Sequence, residues 1–89
     1  VPVEFELTQN YPNPFNPSTV LSFTLPQPGL ARLSVYDVLG REVARLVDGP
    51  LSAGAHSLEF RAEGLGSGVY LYRLQSGGQA AVRMMTLTQ

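Results

Sequence analysis

The sequence contains no cysteine, no lysine and no tryptophan. Without thiols it can form no disulfide and cannot supply the thiolate sets that hold structural zinc, so an oxidising compartment leaves it covalently unchanged. Without lysine its basic residues are six arginines, spread from Arg32 to Arg83 and nearly balanced by seven acidic residues to a formal net charge of −1. A nucleic-acid partner would require a basic face, and that spread does not supply one. No apolar run approaches the ~18 residues that a membrane-spanning helix needs, and no signal-peptide pattern is visible. The chain begins at Val1 rather than Met and reads as a piece, or a mature tail, of a longer protein.

There is room for one domain of modest size. A chain this short buries roughly 60–65% of the surface that its unfolded form exposes, and a hydrophobic content of 44% is adequate for a core. No segment sustains helical periodicity. Nine glycines and seven prolines instead cut the chain into short runs of strand type. Phe5 to Leu7 is the first, and Thr19 to Leu25 the second, with Leu21, Phe23 and Leu25 on one face. Leu30 to Tyr36 sets Ala31, Leu33 and Val35 against Arg32, Ser34 and Tyr36. Arg41 to Val47 has ambiguous facing, and Asp48 to Gly54 reads as a loop. Ala55 to Ala62 turns Leu58 and Phe60 inward, and Gly64 to Gly68 is a bend. Val69 to Gln75 and Gln79 to Thr88 form a closing hairpin around Gly77-Gly78, a two-residue loop of the favoured kind.

Asp37-Val38-Leu39-Gly40 has the residues of a type I turn, with Asp37 accepting hydrogen bonds and Gly40 taking the positive φ. About seven strands, with turn signals every 8–12 residues, make the pattern of an all-β sandwich. Its expected core is Leu21, Phe23, Leu33, Val35, Leu58, Phe60, Tyr70 and Leu74.

One segment does not read as strand or ordinary loop. In Asn10-Tyr11-Pro12-Asn13-Pro14-Phe15-Asn16-Pro17, three prolines and three asparagines interleave with two aromatics. Each proline fixes its own φ and biases the residue before it away from the helical region, so the octapeptide is stiff and extended. It lacks ladder donors at positions 12, 14 and 17. Its asparagines are suited to bonding nearby backbone groups, and Tyr11 and Phe15 are expected to pack against the sandwich. The prolines also place the first strand on an edge, where they cost nothing.

Chemistry of its own has little support. His56, the single histidine, has the inward parity of Leu58 and Phe60 and is expected to be half-buried at the start of its strand. Ser57 and Ser67 lack a nucleophile-elbow context. Asp37 and Asp48 sit beside turn glycines, and Glu59 and Glu63 do not converge. Gly64-Leu65-Gly66-Ser67-Gly68 looks like a phosphate cradle but precedes a strand, whereas such cradles rely on a helix N-terminus. No catalytic residue, metal or cofactor is expected. Tyr11, Tyr36, Tyr70 and Tyr72 would suggest a glycan platform if exposed in a row, but Tyr70 and Tyr72 share the parity of Leu74, which favours burial with their hydroxyls on a partner.

Taken in order, Phe5 to Thr19, Val35 to Val43, Gly54-Ala55-His56, Leu65 to Leu74 and the strand around Arg83-Met84-Met85 resemble the type A C-terminal sorting domain of proteins exported by the type IX (Por) secretion system of Bacteroidetes and their relatives. The resemblance covers nearly all of the chain. It implies a single immunoglobulin-like sandwich over residues 1–89 at the extreme C-terminus of a secreted passenger, such as a glycoside hydrolase or protease. It also implies recognition by the outer-membrane secretion and attachment machinery, and often removal or replacement by a lipopolysaccharide-linked anchor. The functional elements that it transfers are the Gly68-Val69-Tyr70 strand and the terminal strand from Val82 to Gln89, with Val82, Arg83, Met85 and Leu87 as recognition residues. Family members often carry lysines near the end, whereas this chain has Arg83 and finishes Thr86-Leu87-Thr88-Gln89; arginine keeps the charge and changes the geometry. A related module occurs in flagellar hook-capping proteins, for which the sequence offers no context. The expected outcome is a monomer read as a secretion and surface-attachment signal. The alternative is a glycan- or surface-binding accessory module of a secreted hydrolase. An exposed aromatic strip would favour the accessory module; a free terminal strand edge would favour the sorting signal.

Overall fold

Alternating side chains become two faces when strands pair, and here the apolar faces meet between two sheets. The computed structural model describes residues 4–88, and every regular element in them is a strand. These are β1 (Glu6–Leu7), β2 (Ser18–Leu25), β3 (Gly29–Tyr36), β4 (Glu42–Leu51), β5 (Gly54–Arg61), β6 (Gly68–Ser76) and β7 (Gln79–Leu87). One sheet has the order β1-β2-β5 and the other β4-β3-β6-β7, with all named pairs antiparallel. This is an immunoglobulin-like β-sandwich.

The core follows the parity read from the sequence. Leu21, Phe23 and Leu25 of β2 face Leu33 and Val35 of β3, Tyr72 and Leu74 of β6, and Met85 and Leu87 of β7, all with at most 1% of their surface exposed. Of the eight expected core residues, seven are buried, and Leu58 is half-buried at its margin.

The turns have the predicted chemistry. The Asp37 carbonyl accepts from the Gly40 N–H at 3.0 Å, and Gly40 takes a φ of 85°. Gly77 and Gly78 have φ values of 57° and 81°, the two successive positive values of a type I′ hairpin, between the paired ends Ser76 and Gln79.

The fourth strand departs from expectation. β4 continues through Asp48, Gly49 and Pro50 to Leu51, where a loop was predicted, with Gly49 opposite Ala31 and Pro50 opposite Leu30. Proline breaks a central strand because it cannot donate, but β4 is the sheet's outer strand and tolerates one. Two register shifts against β3, at Leu33/Ser34 and Val35/Tyr36, explain why its facing could not be read as a simple alternation.

Candidate recognition site

The proline segment joins the two sheets. Where a proline stands the chain has no N–H, so full pairing with either sheet is impossible, and the donors between the prolines make single bridges instead. Tyr11 bridges to β2: its N–H donates to the Val20 carbonyl at 3.1 Å, and the Val20 N–H donates back at 2.9 Å. Four residues later Phe15 bridges in parallel to β7, its N–H donating to the Thr86 carbonyl and its carbonyl accepting from the Thr88 N–H, both at 2.9 Å. The Phe15 ring is 1% exposed and sits 6.2 Å from that of Phe60.

Side chains reinforce this attachment along the second half of the terminal strand, from Arg83 onward. The Thr86 N–H donates to Asn13 Oδ1 at 3.0 Å, and Gln9 Nε2 donates to the Met84 carbonyl at 2.6 Å. Arg83 Nε donates to the Leu7 carbonyl. Tyr72, buried in β6, accepts from the Asn10 N–H at 2.9 Å and donates to the Thr8 carbonyl at 2.7 Å. Burial pushes the Tyr72 hydroxyl above its ordinary pKa, with the Asn10 N–H acting in the opposite sense. Asn10 is itself buried; its Nδ2 donates to the Pro12 carbonyl and to Thr19 Oγ1, and the Thr19 hydroxyl donates to the same carbonyl. The most distinctive motif of the sequence and the last strand of the chain thus form one structure.

The family model described as the secretion system C-terminal sorting domain matches residues 9–87. The chain belongs to this family. It is a C-terminal sorting domain of the type IX secretion kind, in a family that is not one of enzymes. No curated protein gives a significant match. Membership implies contact with the secretion machinery and export to the cell surface or beyond. Among the described residues, no helix is long and apolar enough to cross a membrane.

Two expectations for the sorting domain need correction. Tyr11 does not pack on the sandwich: its backbone is held, but its side chain leaves the residue 81% exposed. In an antiparallel pair, opposite side chains share a face, so Tyr11 lies beside the exposed Val20 on the outer side of the three-stranded sheet. Nor does the terminal strand offer in full the free edge that would favour the sorting signal, because the strap covers it from Met84 to Thr88. By the alternation of an antiparallel strand, the N–H and C=O groups of Ala80 and Val82 point the same way as those of Met84 and Thr86, and no strap residue bonds them. Asn13 reaches β7 and Asn10 its own segment, whereas Asn16 is exposed and makes no hydrogen bond among the described residues.

The structure brings the expected recognition residues onto two adjacent strands but on different faces. Gly68 begins β6 opposite Leu87, and Val69 is exposed opposite Thr86. Tyr70 is buried, its hydroxyl donating to the Gly66 carbonyl at 2.6 Å. On β7, Val82 is exposed, Arg83 reaches across to the Leu7 carbonyl of β1, and Met85 and Leu87 are buried. Gln89 lies outside the described residues. The outward neighbours Met84 and Leu71 were not singled out by sequence; strand parity was the signal that could have found them.

Elsewhere the polar groups are ordinary. Backbone donation from Arg41, with its guanidinium and the Leu39 N–H helping, holds the Asp37 carboxyl below its usual range. The Arg45 guanidinium, bonded to both carboxylate oxygens, holds the Glu42 carboxyl below its usual range, with the buried Ser34 hydroxyl, which makes no well-formed hydrogen bond, facing that carboxylate. The half-buried His56 ring stacks on Phe23 at 5.4 Å, and its Nε2 lies 2.8 Å from the Ser52 carbonyl. The tyrosines form no exposed row: Tyr70 and Tyr72 are buried, and Tyr36 is half-buried on the other sheet from Tyr11.

Proposed function

We propose that this sorting domain, at the end of a secreted passenger, is read by the type IX machinery as a folded shape, through the β6–β7 hairpin and the strap clasped to it. It performs no chemistry of its own and acts as a single monomeric unit over residues 1–89. The observation that carries this reading is the convergence of the Asn10 to Pro17 motif and the terminal strand on one edge of the sandwich. A linear tail would need no such clasp. In this reading Val69 and Val82 are surface that the machinery touches. Gly68 places the hairpin, and Arg83, Tyr70, Met85 and Leu87 keep it in register with the strap and the core. The passenger is then released to the medium or attached at the cell surface.

The test is a fusion of residues 1–89 to an inert periplasmic reporter in a host with type IX machinery. The reporter is expected at the surface or in the medium, and deletion of residues 82–89 is expected to trap it in the periplasm. If the intact fusion stays periplasmic while the isolated domain binds insoluble polysaccharide, the domain is a glycan-binding module instead.

A further inference from the structure

The outer face of the four-stranded sheet is divided into two unlike halves. On β3 and β4 the charges satisfy one another: Arg45 bridges Glu42 at 3.0 Å and Asp48 at 3.2 Å, and Arg32 lies 3.7 Å from the same Asp48. On β6 and β7 the middle of the face is mainly apolar, with Gln75 and Thr86 at its margins. Register places Leu71 directly between Met84 of β7 and Tyr36 of β3, making one cross-strand row. Val69 and Val82 flank it, and Val69, Val82 and Met84 are 40%, 54% and 62% exposed. Three of the large apolar side chains that the sandwich leaves in water are therefore gathered on one hairpin, which is more than singly scattered surface residues require.

Within this apolar half stands Arg73, opposite Val82 on one side and Ser34 on the other. Arg32, Arg41, Arg45 and Arg61 each have a carboxylate partner, and Arg83 bonds the Leu7 carbonyl. Among the described residues the Arg73 guanidinium has no ion pair and no side-chain hydrogen bond, its backbone alone being engaged in the ladders to β3 and β7. A guanidinium offers five donors in a planar fork suited to a carboxylate, and beside apolar surface that pairing gains strength as water is displaced.

We propose that the row Tyr36, Leu71 and Met84, with Val69, Val82 and Arg73, is the docking face for a protein partner that presents apolar side chains around a carboxylate set to meet Arg73. This inference rests on the sorting-signal reading and names the surface through which it works. The occupant is a protein rather than a lipid surface, because attraction to an anionic bilayer draws on several clustered basic residues, at about 1 kcal/mol each, and this half-face carries one.

The experiment uses the same reporter fusion, with Arg73→Glu, Arg73→Lys and the double substitution Val82→Thr with Met84→Thr. All of these side chains point outward, and thermal melts of each domain report on folding. The expected result is at least about tenfold less exported reporter for Arg73→Glu and for the double variant, the loss that 1.4 kcal/mol of binding free energy corresponds to. Arg73→Lys is expected to stay nearer the unaltered fusion, and Ser57→Glu, on the opposite sheet, to export normally. If the unaltered fusion is exported and both face variants match it, the docking face is wrong while the sorting reading stands. If the unaltered fusion is not exported, the sorting reading itself fails. Binding of the isolated domain to phosphatidylglycerol vesicles, lost in Arg73→Glu, would overturn the protein partner in favour of a membrane.

Discussion

The strap depends on a few side chains whose contributions can be separated. Phe15 is buried against Phe60, whereas Tyr11 is held by its backbone alone. Phe15→Ala is therefore expected to cost about 3–5 kcal/mol, and Tyr11→Ala to stay within about 0.5 kcal/mol of the parent; thermal melts of the two variants check the contrast. Tyr72→Phe keeps the ring but leaves the Asn10 N–H and the Thr8 carbonyl without their partner. Its expected cost is about 1–3 kcal/mol, which lowers Tm by about 4–8 °C for each 1 kcal/mol in a domain of this size. The hydroxyl's pKa is raised in the fold, so its contribution is complete below the unfolded value and declines as pH rises past it. The parity that buries Tyr72 was readable from the sequence. Its bonds were not, because their partners, Thr8 and Asn10, lie more than sixty residues away.

Elements were readable wherever the apolar pattern and the turn residues agreed. β2, β3, β5 and β6 begin or end within a residue of the expected bounds, since Leu21 to Leu25 and Ala31 to Val35 alternate cleanly between Gly- or Pro-marked turns. The local sequence ends β4 early, because Gly49-Pro50 signals a break, while the strand's outer position in the sheet is a tertiary fact. The strap was readable as stiff and structural, but not its destination. A run of prolines announces missing donors without naming which neighbour meets the donors that remain. The Asp37–Gly40 turn, by contrast, was fully local and came out as expected. Because the Asp37 pKa is lowered in the fold, its carboxylate stabilises above the ordinary carboxyl range and stops doing so as pH falls through the folded value. Asp37→Ala is thus expected to lower Tm most near neutral pH, with the gap to the parent closing in acid; a pH series of melts checks it.

At the scale of the molecule, the sandwich has one closed and one open side. The strap closes the side where β1 lies beside β7, and opposite it β4 and β5 are the sheet edges that no other described strand pairs. A domain closed in this way ties β7 to the Asn10 to Pro17 motif. Whether the sorting signal is this folded composite and not a linear tail is decided by replacing Asn10 to Pro17 with a Gly/Ser linker of equal length while leaving Val82 to Gln89 intact, and measuring reporter export. The reporter is expected to stay in the periplasm. Export at the unaltered level would contradict the folded composite.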